Sequence, residues 1–143
     1  MSNNYEAYEK ECDRIHKENE KHLTAFEEWL RNKGLSEKTI ERHASNVDFY
    51  INEYLCYYDA LDVRHGCYSI GMFLGDWFIR KAMWSSCTSI KANAVGIKKF
   101  YEFLLECDVI EQQGYDTLCK RIKEGMPEWL DKMRHYYDDV EDY

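Results

Sequence analysis

The stretch KGLSEKTIERHASNVDFYINEYL, residues 33–55, predicts the end of one helix, a tight turn and most of a second helix. Gly34 indicates a helix end because glycine readily adopts the left-handed conformation at that position. Ser36 is a typical N-cap for the helix that follows. At 100° per residue, the apolar side chains of that helix share one face, which leaves Lys38, Arg42 and Ser45 on the opposite side. The inward face consists of Ile40, Ala44, Val47, Ile51 and Leu55.

Few helix breakers interrupt the rest of the chain. The 143 residues include one proline and seven glycines, and 45% of them are hydrophobic. This composition favours helices over short, turn-punctuated strands and provides enough apolar side chains for one core. We therefore predict an all-α fold, a compact bundle of four to six helices, with residues 1–143 forming a single helical domain.

Apolar periodicity places the remaining helices. We predict one helix over residues 5–32, or two nearly collinear helices broken near Asn19. Further helices are expected at 69–83, where Gly71 and Gly75 suggest close approach of another backbone, and at 88–105. Residues 111–143 are predicted to form a C-terminal extension, with a short helix at 115–124 ended by Gly125, a last helix opened by Pro127, and a solvated acidic tail at 138–143.

The formal net charge of −8 is unevenly distributed. Residues 77–101 carry five cations and no acid, whereas residues 102–143 carry twelve acids and five cations. A basic surface on one element is typical of nucleic-acid binding, because each phosphate contact releases counterions. It also occurs on ordinary solvated faces, and the sequence pI of about 5.1 disfavours DNA at long range. The five cations are Arg80, Lys81, Lys91, Lys98 and Lys99.

Three stretches in this order resemble the N-terminal core-binding, SAM-like domain of phage integrases and other tyrosine recombinases. They are HLTAFEEWLRNKGLSEKTIERHASNVDFYINEYL, SIGMFLGDWFIRKAM and SSCTSIKANAVGIKKFYEFLLECDVI, which together cover about residues 23–110. In that family the domain forms half of a clamp around duplex DNA, with the starts of its second and fourth helices against phosphates and grooves. The resemblance thus implies DNA-binding roles for Lys38, Thr39, Arg42, His43, Thr88, Lys91, Lys98 and Lys99.

Helix N-termini also offer free amides to phosphate, so Ser36 and Thr88 are expected as caps near a DNA backbone. The family's catalytic domain, with its arginine, histidine and lysine set and tyrosine nucleophile, has no counterpart after residue 110. Arg134, His135, Tyr136 and Tyr137 point in different directions on a helix. We therefore expect no enzyme activity and no catalytic residues.

No other constellation predicts chemistry. Six cysteines without a C-x-x-C pair are interpreted as reduced, mostly core-filling thiols, although an even count also permits disulfides. The histidines reach no zinc-site spacing, so no metal site and no cofactor are expected. No apolar run spans a bilayer and the N-terminus has no signal-peptide core, which predicts a soluble, cytoplasmic protein without a membrane partner.

Two functions remain open at this point. The first is a non-catalytic module that binds double-stranded DNA and is linked to DNA integration or recombination in a mobile element. The second is a protein-interaction or dimerisation module that keeps the fold, does not bind DNA, and pairs with a recombinase or with itself. The acidic C-terminal part favours the second, and it could also fold onto the basic surface as an internal mimic of DNA.

Overall fold

Helices account for all regular secondary structure in the part of the chain that the structure describes, which confirms the all-α prediction. The structure is a computed structural model, and it describes the backbone of residues 2–141 and the side chains of residues 4–136. The α-helices are α1 (Ser2–Asn32), α2 (Glu37–Asp48), α3 (Gly66–Met72), α4 (Phe78–Lys81), α5 (Cys87–Glu106) and α6 (Gln112–Glu141). A π-helical turn at Phe49–Tyr54 continues α2, and a second one at Phe73–Trp77 joins α3 to α4. A 3₁₀ turn at Val63–His65 precedes α3.

Helix α1 is continuous through Asn19, which decides between the two alternatives for the first helix. The Asn19 side chain is buried, and its amide donates hydrogen bonds to the Ile51 carbonyl at 3.3 Å and to Asn52 Oδ1 at 2.7 Å. Because these bonds satisfy the buried amide, a polar residue inside the helix stabilises the packing of α1 on the π-helical turn after α2.

The turn between α1 and α2 has the predicted geometry. Gly34 adopts φ +87°, and the Leu35 amide donates to the Leu30 carbonyl at 3.3 Å, which satisfies a carbonyl at the helix end. Ser36 caps α2 by accepting a hydrogen bond from the Thr39 amide at 3.2 Å. All five apolar residues predicted for the inward face of the second helix are buried.

The predicted break in the C-terminal part is wrong, because α6 runs without interruption from Gln112 to Glu141 and contains Pro127. Gly125 is not a left-handed helix end, since Gly34 is the only glycine with positive φ in the described residues. Packing along the length of α6 explains why it is continuous. Its apolar face is buried against α5 and against residues 66–81, called here the α3–α4 segment. That face includes Leu118, Trp129, Leu130 and Met133.

The two glycines of the α3–α4 segment approach a side chain, not another backbone as predicted. A Cβ on Gly75 would lie 2.7 Å from Cδ1 of Trp129, and one on Gly71 would lie 3.9 Å from the same indole. Gly125 of α6 also leaves space for this ring, since a Cβ there would clash with Cζ2 of Trp129. The indole of Trp129 therefore packs where these three glycines leave space for it.

The large core cluster draws buried residues from α1, α2, the α3–α4 segment, α5 and α6. A small second cluster, formed by Cys12, Ile15 and Cys56, fixes the N-terminal half of α1 to the end of the second helix. All six cysteines are free thiols, and three of them are buried. Within the described residues, no helix has the length and apolarity needed to cross a membrane.

Candidate nucleic-acid interface

Helices α2 and α5 cross in direct contact at His43 and Gly96. A Cβ on Gly96 would lie 3.2 Å from His43 Nδ1 and 3.5 Å from its Cα, so the absence of a side chain allows the close crossing. The two helices that the sequence nominates for DNA binding are therefore neighbours.

Most of the nominated side chains reach solvent. Lys38 and Arg42 of α2 are exposed, and Thr39 is half-buried with its Oγ1 accepting a hydrogen bond from Ser36 Oγ at 3.0 Å. On α5, the side chains of Thr88, Lys91 and Lys98 are exposed and that of Lys99 is half-buried.

His43 is the exception, because it is a packing residue with only 8% of its surface exposed. Its Nδ1 has no hydrogen-bond partner among the described residues. Burial lowers the pKa of His43, and the positive charges of Lys99 and Arg42 lower it further. The imidazole is therefore a packing contact between α2 and α5 and not an exposed side chain.

The basic block of residues 77–101 divides into paired and unpaired cations. Arg80 binds Asp76 at 2.9 Å, and Lys132 of α6 binds the same carboxylate at 3.1 Å. Lys81 lies over the ring of Tyr57, 5.7 Å from its centroid. By contrast, the other three cations of the block and two nominated cations of α2 form no ion pair with any residue between 4 and 136. These free cations are Lys38, Arg42, Lys91, Lys98 and Lys99.

One of the two acids beside the free cations of α2 is neutralised internally. Arg31 of α1 donates to both carboxylate oxygens of Glu37, at 2.6 Å from Nε and 3.1 Å from Nη2, and holds the pKa of Glu37 below its usual value. Glu41 is exposed and forms no ion pair among the described side chains, so its negative charge still opposes the attraction of Lys38 and Arg42 for phosphate.

The N-terminus of α5 is capped by Ser86, not by Thr88 as the sequence suggested. Ser86 accepts a hydrogen bond from the Ser89 amide at 3.0 Å, and Ser89 Oγ accepts one from the Ser86 amide at 2.8 Å. This reciprocal capping box occupies two amides of the first turn. Thr88 lies inside the helix with an exposed side chain, where it is free for an external contact.

Two lysines of α6 join this surface, and the sequence reasoning missed both. Lys98 of α5 lines a cleft of about 550 Å³ together with Lys120 and Lys123 of α6. Counting charge by segment concealed them, because they belong to the most acidic part of the chain. Their spacing of three residues, which places them on one helix face, is the signal that could have revealed them.

The residues near the C-terminus that resemble a catalytic set lie in the last part of α6. Arg134 and His135 are exposed, Tyr136 is half-buried, and the Tyr137 side chain lies outside the described residues. His135 Nδ1 is 2.8 Å from the Asp131 carbonyl within its own helix. Within residues 4–136, no group of three histidine, cysteine, aspartate or glutamate side chains could hold a metal ion. The side chains of the acidic tail, 138–143, are also outside the described part, although the α6 backbone continues to Glu141.

Comparison with known proteins yields no relative: no protein-family model, no curated protein and no solved structure matches this chain.

Proposed function

We propose that this protein is a non-catalytic module that binds duplex DNA through α2 and α5, as the core-binding domain of tyrosine recombinases does, and that it serves DNA integration or recombination. The observation that carries the proposal is the set of five free cations on two helices in direct contact. Arg42 adjoins His43 in α2 and Lys99 follows Gly96 by three residues in α5, and the contact between His43 and Gly96 places both cations near one helix crossing. Exposed cations without internal partners retain their charge for phosphates.

The binding is electrostatic in origin. Phosphate contacts release condensed counterions, and the logarithm of the binding constant falls by about 0.9 per contact for each tenfold rise in salt. The net charge of −8 opposes long-range attraction, so complex formation depends on the local basic surface. We therefore expect duplex binding that is measurable at low salt and weakens steeply as salt increases.

The first prediction concerns Lys91 and Lys98, which lie seven residues apart on one stripe of α5. Replacing both, as Lys91→Glu/Lys98→Glu, should abolish binding to a random duplex at low salt, because two attractive contacts become repulsive. Fluorescence anisotropy across a salt titration measures the effect. Lys10→Glu/Lys17→Glu is the matched control, since these lysines of α1 are also exposed and seven residues apart.

The control double variant has the same net charge as the test variant, so it separates the effect of losing cations on α5 from the effect of a more negative protein. It should bind nearly as well as the parent protein. Equal binding by all three proteins at low salt would disprove a role for α5. An equal loss of duplex affinity in both variants would show that the loss comes from the change in net charge.

A second candidate function, a protein-interaction module, is favoured by an exposed aromatic surface. Tyr57, Tyr58 and Trp84 are 48%, 64% and 56% exposed, and Met83 between α4 and α5 is 94% exposed. The rings form one network of contacts, because Tyr57 packs edge-on against Trp77 and Trp84 packs edge-on against Phe49. Phe49 and Trp77 link the two pairs, with ring centroids 5.6 Å apart. Exposed apolar side chains in contact with one another are typical of protein-binding surfaces.

The same salt titration separates the two candidates. Duplex binding by the parent protein at low salt supports the DNA-binding module. Absence of binding at the lowest salt, with the protein folded, would favour the interaction module, whose partner would be a recombinase or a second copy of this chain.

A further inference from the structure

The cleft between α5 and α6 combines three cations from two helices. Lys98, Lys120 and Lys123 line it, together with Cys119, Ile122 and the single acid Glu124. None of the three lysines forms an ion pair with another described residue. The lining therefore has an excess of two positive charges that the protein itself does not balance.

A neighbouring cleft on α6 shows that this excess is local. Lys120 and Arg121 also line that second cleft, where Glu124 and Glu128 oppose them in equal number. An anion gains more from the first cleft, because two of its three positive charges are uncompensated. The cleft volume of about 550 Å³ exceeds what a single inorganic ion requires, which suits a segment of a chain of phosphates.

Lys98 connects this cleft to the proposed duplex-binding surface. Lys91 and Lys98 align on α5, about 10 Å apart along the helix axis at 1.5 Å per residue. Lys98 thus lies at one end of the stripe, and the cleft continues it onto α6. A strand that contacts Lys91 and Lys98 would meet Lys120 and Lys123 next.

We infer that the cleft lined by Lys98, Lys120 and Lys123 is a phosphate-binding site for the backbone of duplex DNA, so that α6 forms part of the DNA surface. This inference rests on the proposed function. It gives the C-terminal segment, despite its many acids, a binding role in place of an inhibitory one. The ligand group is a phosphate oxyanion, for which the DNA backbone and free polyphosphate are the two competing sources.

The test is the salt dependence of duplex binding by Lys120→Gln/Lys123→Gln. Loss of two phosphate contacts should lower the slope of log affinity against log salt by about 2, and it should weaken binding at every salt concentration. Lys17→Gln/Lys21→Gln, which neutralises two exposed lysines of α1, is the matched control and should leave the slope unchanged. The thermal unfolding of both variants checks that each is folded.

Alkylation of Cys119 gives a second readout that does not depend on affinity. Cys119 lines the cleft and is half-buried, whereas Cys107 is exposed and does not line it. Saturating duplex should slow maleimide modification of Cys119 several-fold relative to Cys107, as measured by mass spectrometry of the peptides. Pyrophosphate at equal ionic strength should protect it much less.

The outcomes are distinct. A reduced slope together with protection of Cys119 by duplex supports the inference. Duplex binding with an unchanged slope and an unprotected Cys119 overturns the inference and leaves the proposed function intact. Stronger protection by pyrophosphate than by duplex assigns the cleft to free polyphosphate and overturns the inference. If the parent protein does not bind duplex, the proposed function fails and the inference fails with it.

Discussion

At the residue scale, Arg42 and His43 show how neighbours with the same predicted role can differ in the folded protein. It adjoins Arg42 at the start of α2, and the family resemblance implies a DNA contact for both residues. The structure separates them, because Arg42 is exposed whereas His43 packs against Gly96. The 100° rotation between successive helical residues turns one side chain outward and the next inward.

The burial of His43 predicts a pH dependence of stability. Its pKa is lowered in the folded protein, chiefly by burial, so the unfolded chain binds more protons below about pH 6.5 and stability falls as pH decreases. A single group changes the free energy of unfolding by at most about 1.4 kcal/mol per pH unit. Replacing it, as His43→Gln, should reduce this loss between about pH 6.5 and pH 5, as measured by urea unfolding at each pH.

His22 contributes to stability with the same sign, since its burial also lowers its pKa, so the variant should retain part of the loss. The quantity to compare is the difference between parent and variant as a function of pH, not the absolute stability. Parallel curves for the two proteins would contradict a lowered pKa at His43.

At the element scale, α6 shows how tertiary packing can override a helix breaker. Proline removes an amide donor and clashes with the carbonyl four residues earlier, which in α6 belongs to Lys123. Trp129, Leu130 and Met133 are buried after this point, and Leu118 is buried before it. Their burial on the α3–α4 segment and α5 keeps both halves in line.

We therefore predict that Pro127→Ala raises the free energy of unfolding by about 1–3 kcal/mol, because alanine restores the missing amide and relieves the clash. Pro127 is exposed, so the substitution removes no core contact. Chemical denaturation measures the change, with Glu128→Ala as the control at the next exposed position. A destabilised Pro127→Ala protein would indicate that the chain requires a break at this residue.

At the scale of the whole molecule, α6 is a structural component of the core and not an appendage. The sequence treated residues 111–143 as an extension of a core-binding-like region at 23–110. Residues of α6 instead belong to the same large core cluster as Phe26 of α1 and Phe100 of α5. A function for α6 therefore cannot be tested by removing its buried part.

Deleting residues 126–143 should abolish cooperative folding. It removes Trp129, Leu130 and Met133, and a single large-to-small change at a buried site of this kind costs about 2–5 kcal/mol, against a total stability of about 5–15 kcal/mol for a typical domain. Circular dichroism during thermal unfolding should show no sharp transition.

Deleting residues 137–143 is the matched control, because it removes four acids and none of these core side chains. A sharp transition in both truncated proteins would show that the C-terminal half of α6 is dispensable. The shorter deletion also tests the internal-mimic alternative, since release of inhibition would appear as tighter duplex binding than in the parent protein.

How much was predictable depends on whether a feature is local. The turn at Gly34 and Ser36 and the inward face of α2 were correct, because caps and 3.6-residue periodicity act within one helix. The sequence did not predict that Gly75 and Gly125 make space for Trp129, because the two glycines lie on different elements. The cleft lysines were missed for the same reason, since Lys98 meets Lys120 and Lys123 only when α6 packs on α5.

The sequence by itself determined that the chain is all-α, how the turn and cap between α1 and α2 are built, and that Lys91 and Lys98 of α5 face outward. Each of these follows from neighbours within a few turns of one helix. Only the tertiary structure decided which cations are free. Asp76 binds Lys132 of α6, 56 residues further along the chain, at 3.1 Å, whereas Lys98 of α5 shares a cleft with Lys120 and Lys123 of α6 without an ion pair to a described residue. Charge pairing depends on distance through space, and segments far apart in the chain come within a few ångströms of each other only in the folded molecule.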